Sequence, residues 1–152
     1  MEEKFNNAIK AGVIGGITFV IIALIDMVGV LSIRAPLSCA ILALLFATAL
    51  VTGALAVRFA KPHLNTHDDV IAVSALAGFI SGVVYAVIQL ITSIIESAAM
   101  YSTVNNNFIY SLSWWTHNLS GVCWVDPFEV AVAIILAVLG GTIYRTLVAR
   151  LP

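Results

Sequence analysis

Apolar residues do not alternate along this chain; they run in long blocks. Four blocks, at about 8–33, 37–57, 70–95 and 128–148, each reach the ~20 residues that carry an α-helix across a ~30 Å hydrocarbon core. None has the period of two that a membrane β-strand shows. Inside hydrocarbon every backbone polar group must be satisfied internally, and an α-helix does this alone. The pattern predicts an all-α fold: a polytopic membrane protein with a single domain over 1–152, built as a bundle of four transmembrane helices.

The breaks between blocks carry helix-end signals. "DPFE" places Asp126 as N-cap, Pro127 at the first helical position and Glu129 three residues after the cap. "APLS" sets Pro36 at the start of span two in the same way, and "NTHDD" offers Thr66 as cap. Asp68 and Asp69 then fall in the first turn of span three, where the helix dipole favours negative charge. These acids are accounted for without a site. The leading stretch "MEEKFNNAIK" mixes acids with lysines, and no small-x-small cleavage site follows it. The first block therefore reads as a retained helix and not a signal peptide.

Composition agrees with the pattern. Hydrophobic residues make up 61% and charged residues 10% of the chain, against ~25% charged in typical soluble domains. Lys4, Lys10, Arg58, Lys61, Arg145 and Arg150 fall at one set of span ends; Arg34 alone falls at the other. The positive-inside rule makes the first set cytoplasmic, with both termini inside and the segment 101–125 forming the outer loop. That loop holds all three tryptophans, Trp114, Trp115 and Trp124. Amphipathic rings suit an interfacial belt on the bilayer, and they also suit a partner surface.

The two halves resemble each other. A shift of 63 positions lays "AGVIGGITFVIIALID" on "SALAGFISGVVYAVIQ", with Gly15 on Gly78 and Asp26 on Gln89. This fits a parallel duplication of a helical hairpin, although apolar helices also resemble one another by chance. Small residues recur four apart: Gly12 and Gly16; Ala49 and Gly53; Ser74, Gly78 and Gly82; Ala133, Ala137 and Gly141. Such spacing lets helix backbones approach closely in lipid.

Candidate chemistry is sparse. Asp26 interrupts an apolar run, ~24 Å along the span counted from Lys10 at 1.5 Å per residue. Gln89 and Glu96 reach a similar depth on span three, so Asp26, Gln89 and Glu96 form a polar layer near the outer boundary. Two readings compete for it. Asp26 either bonds Gln89 or pairs with Arg34 as polar glue between helices, or the layer lines the mouth of a cation or solute path. Spans two and four lack the mid-membrane carboxylate that ion carriage uses. Cys39 and Cys123 share the outer side, and they form either a bridge or two buried thiols. Asn118 heads an N-x-S sequon on that same side. His63 and His67 are four apart, but Pro62 and the Thr66 cap place them in a solvated turn. Nothing in the chain points to an enzyme, a metal, a cofactor or nucleic acid. The expected surroundings are the lipid bilayer and other membrane subunits or copies of itself. The expected role is an accessory, structural or assembly subunit of a larger membrane complex. The alternative is a small oligomeric transporter or channel with an outer polar site.

Overall fold

The computed structural model describes residues 2–33, 38–101 and 127–149. Its regular elements are α1 (Glu2–Ile33), α2 (Ser38–Ala60), α3 (His67–Tyr101) and α4 (127–144). A 3-10 turn at Lys61–His63 follows α2, and α4 runs on into a π-helical turn at Arg145–Ala149. All four helices are long and apolar enough to cross a membrane, which is consistent with a multi-pass membrane protein. With 32 and 35 residues, α1 and α3 are ~48 and ~52 Å long at 1.5 Å per residue, well over the ~30 Å of a hydrocarbon core. Their ends must therefore project beyond the core or the helices must tilt.

Successive helices run antiparallel. The start of α1 packs with the end of α2 and the start of α3, where Ala8, Ala11, Ala56, Val57, Ala60, Val70 and Val73 share one buried cluster. Further along α1, Phe19 and Ile22 meet Ile41 and Ala49 from the first half of α2. The fourth helix packs on both α2 and α3. Most of these core residues are alanine or valine, so the helix axes come close together.

The closest approaches are at backbone level. A Cβ added at Gly53 would overlap the Ala137 carbonyl, and one at Gly140 would overlap the Leu50 carbonyl. Between α1 and α3, a Cβ at Gly12 would stand 2.9 Å from the Ala77 carbonyl oxygen, and one at Gly16 would stand 3.0 Å from Val84. Between α3 and α4 the fit is looser at Gly82, where the nearest atoms, Ala133 Cβ and Val130 Cα, lie at 3.2 Å. Gly140 was not among the small residues that the sequence spacing selects, yet it makes one of the tightest contacts.

Polar groups gather where α1 begins, α2 ends and α3 begins. Lys4 on α1 pairs with Asp69 on α3. Asn7 Nδ2 donates to the Phe59 carbonyl at 3.1 Å, and His63 lies 3.4 Å from Glu3. The Thr66 cap forms a reciprocal box: Thr66 Oγ1 accepts from the Asp69 amide at 3.2 Å, while Asp69 Oδ2 accepts from the Asn65 and Thr66 amides. Arg145, at the end of α4, reaches His67 at 3.4 Å. These bonds fix all four helices to one another at the basic end.

Substitutions along the seams give a ranked outcome. Gly53→Ala and Gly140→Ala force a methyl into a backbone carbonyl and are expected to cost about 1–3 kcal/mol, the usual range for overpacking. Gly82→Ala is expected to cost least of the three, because its 3.2 Å contacts need to yield by only a few tenths of an ångström while alanine gains up to about 1 kcal/mol of helix propensity. Thermal unfolding in one mild detergent checks the order; equal losses at all three positions would contradict it.

Candidate functional site

Where α2 and α4 touch at Gly53 and Gly140 the interior is closed, but beyond that level the two helices leave a gap. A cavity of about 330 Å³ lies between residues 42–49 of α2 and 128–136 of α4, floored by Phe19 of α1 and Tyr85 of α3. Its volume is at the low end of the ~300–1,000 Å³ typical of small-molecule sites, and its wall is mostly apolar, as such walls are. Each helix contributes one aromatic ring: Phe19, Phe46, Tyr85 and Phe128. Phe128 is 68% exposed at the rim, whereas Phe19 is 3% exposed at the floor. Phe19 and Tyr85 are in tilted contact, with ring centroids 5.2 Å apart and planes at 46°.

One carboxylate belongs to this wall. Glu129 sits in the first turn of α4, half-buried, with its Oε2 atom shielded from solvent. A polar thread leads away from the floor along α3. Gln89 Nε2 donates to the Tyr85 hydroxyl. Thr92 Oγ1 donates to the Gln89 carbonyl at 3.1 Å and lies 3.4 Å from Gln89 Oε1. These residues are three or four apart on one helix, so their side chains stack along one face.

Of the polar layer read from the sequence, the side chains of Asp26 and Gln89 are described. Gln89 serves its own helix through Tyr85 and Thr92. Asp26 is half-buried on α1, and among the described residues it makes no hydrogen bond or ion pair. The side chain of Glu96 and the whole of Arg34 lie outside the described residues, as do the side chain of Cys39 and the residues Cys123, Asn118, Trp114, Trp115 and Trp124. His63 and His67 turn to different partners, Glu3 and Arg145. Among the described residues no three His, Cys, Asp or Glu side chains come together.

Sequence reasoning treated Glu129 as a capping residue and passed over Phe19, Phe46 and Phe128. Spans one and two carry one aromatic each, Phe19 and Phe46, but spans three and four carry two each, Phe79 with Tyr85 and Phe128 with Tyr144, so a count of rings does not select the set. Periodicity in a helix that is apolar all round does not say which ring faces inward.

A double-mutant cycle checks the thread. Tyr85→Phe removes the acceptor for Gln89 and is expected to lower stability by about 1 kcal/mol. Gln89→Leu alone should cost a similar amount, and the double variant should cost clearly less than the sum. Strict additivity in thermal unfolding would show that the two side chains do not act together.

No protein-family model matches the chain, and neither does any curated protein or solved structure.

Proposed function

We propose that this chain is a four-helix integral membrane protein that acts as an accessory or assembly subunit, packed against larger membrane subunits. The supporting observation is how the interior is filled. The helices close on one another through glycine and alanine at backbone distance, and the inner hydroxyls turn back onto their own helices. Thr52 donates to the Thr48 carbonyl at 2.8 Å, Ser81 to Gly78 at 3.1 Å and Thr142 to Val138 at 2.7 Å. Ser74 Oγ is fully buried without a bonded partner among the described residues, lodged against Gly141. Hydroxyls used in this way are not left to replace the hydration shell of a passing ion. That favours a packing role over a conducting one.

The outer face of α1 supports the same reading. Ile14, Ile17, Ile21, Ile25 and Val28 recur at three- and four-residue spacing and are all exposed. They form an exposed aliphatic stripe along α1, suited to lipid or to a neighbouring helix. Orientation belongs to this proposal too: the basic end, with Lys4, Arg58, Lys61 and Arg145, faces the cytoplasm under the positive-inside rule, and the segment 101–125 lies outside. So does duplication of the hairpin. Gly15 faces Thr52 of α2, and Gly78, its counterpart under the 63-residue shift, faces Ala133 and Ala137 of α4. Each glycine thus looks across its own hairpin.

Gentle extraction from the native membrane, followed by native sizing and identification of co-migrating chains, tests the role. Stoichiometric association with larger membrane subunits is expected. A homogeneous species made of this chain alone, with ion or solute flux in proteoliposomes that Asp26→Asn abolishes, would overturn the proposal in favour of a small transporter.

A further inference from the structure

The α1–α2 pair carries a surface groove that the packing role does not use. Two hollows follow one another along it, one of about 640 Å³ at the basic end and a narrower one of about 180 Å³ further into the span. Ile14 belongs to both walls. On α1 the walls take Asn7, Lys10, Ile14 and Thr18; on α2 they take Phe59, Leu55, Val51, Thr48 and Leu44. Steps of three and four residues keep each set on one face of its helix. Because the helices run antiparallel, the two faces meet in one continuous groove. Its chemistry is graded. Among the described residues that line it, Lys10 is the one charged side chain and no carboxylate is present. Lys4 is taken by Asp69, whereas Lys10 is exposed and makes no hydrogen bond or ion pair among the described residues. Residues 11–25 of α1 and 38–57 of α2 carry no charge, so Lys10 marks the level where hydrocarbon gives way to headgroups. Beyond it, Thr18 and Thr52 turn their hydroxyls back to the carbonyls of Ile14 and Thr48, and the inner groove presents an apolar wall.

We infer that this groove binds one anionic phospholipid, its phosphate on Lys10 and one acyl chain laid past Ile14 towards Leu44. The wide hollow at the basic end suits a headgroup, and the narrow one beyond it suits a single chain. The stem of Lys10 can lie on the apolar wall while its ammonium reaches out to a phosphate, and basic pockets between transmembrane helices suit anionic headgroups. A zwitterionic lipid offers the same chain, but its own quaternary ammonium offsets the phosphate, so Lys10 selects net negative charge. A partner helix fits less well. The lining runs over ~17 Å of α1 and ~23 Å of α2, short of the ~30 Å that a spanning helix would cover. A free phosphate would leave the apolar length of the groove unused.

The test uses the full chain in mild detergent, titrated with phosphatidylglycerol or with phosphatidylcholine of the same acyl chains, with bound lipid counted by native mass spectrometry. One phosphatidylglycerol is expected to bind about five-fold more tightly than phosphatidylcholine, the selectivity that one lysine beside an anionic headgroup supplies. Lys10→Gln should remove that selectivity, and Lys10→Arg should keep it. Lys61→Gln, which removes an exposed cation from the same end but outside the groove, should leave it unchanged. Ile14→Trp, which fills the groove where the two hollows meet, should weaken both lipids at least five-fold. A photo-crosslinker at position 14 in the native membrane should capture lipid. Equal affinity for the two lipids, selectivity that survives Lys10→Gln, an equal loss in Lys61→Gln, or binding untouched by Ile14→Trp would overturn the assignment. Capture of a protein chain at position 14 would overturn it in favour of a partner helix. The lipid titration does not depend on which larger subunits co-purify, so this site and the packing role fail separately.

Discussion

Backbone contact between helices is the constraint on which the rest of the structure depends. In hydrocarbon, apolar side chains gain nothing by leaving lipid for one another, so helix association rests on close packing. The chain meets this with glycine against carbonyl, Gly53 on Ala137 and Gly140 on Leu50, and with alanines and valines lining the other contacts. The two helices stay in contact one turn further on, at Val57 and Gly141, and towards the start of α4 a space opens between them. The cavity floored by Phe19 and Tyr85 is that space.

The polar residues are divided between the two ends. At the basic end, Lys4 with Asp69, Asn7 with the Phe59 carbonyl, and Arg145 beside His67 join all four helices outside the apolar blocks, where such groups remain hydrated. These exposed or partly exposed bonds contribute little energy each. They join the helix ends that lie side by side, in the same register as the glycine seams. Towards the other end the polar groups are few and lie along α3, in the sequence Tyr85, Gln89, Thr92. That thread keeps the amide of Gln89 satisfied within its own helix and anchors the hydroxyl of the ring that floors the cavity.

Much of this was legible in the residues. The apolar blocks were long enough to name four helices, and α3 begins beside the Thr66 cap that "NTHDD" marks, with Asp69 completing the box. Small residues four apart pointed to Gly12, Gly16, Gly53, Gly78, Gly82 and Gly141, although they gave no partners. What the residues did not disclose depends on the angles between helices. Gln89 was a natural mate for Asp26 by depth, but depth says nothing of rotation about the helix axis, and the Gln89 amide also bonds Tyr85 one turn away on its own helix. Glu129 looked fully explained by its cap position, and its place on the wall of the cavity between α2 and α4 follows only from the tertiary packing. Gly140 escaped notice because it lies one step off the four-residue pattern that ends at Gly141.

The register of these seams can be measured directly in the membrane by disulfide trapping, with Cys39→Ser and Cys123→Ser in the background. Between α3 and α4 the Cβ positions of Gly82 and Ala133 lie 3.2 Å apart, close to the ~3.5–4.5 Å of a disulfide. The pair Gly82→Cys with Ala133→Cys should oxidise rapidly within one chain. Val83→Cys with Ala133→Cys should not, because Val83 is 39% exposed on another face of α3. Rapid bridging of the Val83 pair, or none of the Gly82 pair, would mean that the small-residue faces are not where the helices meet.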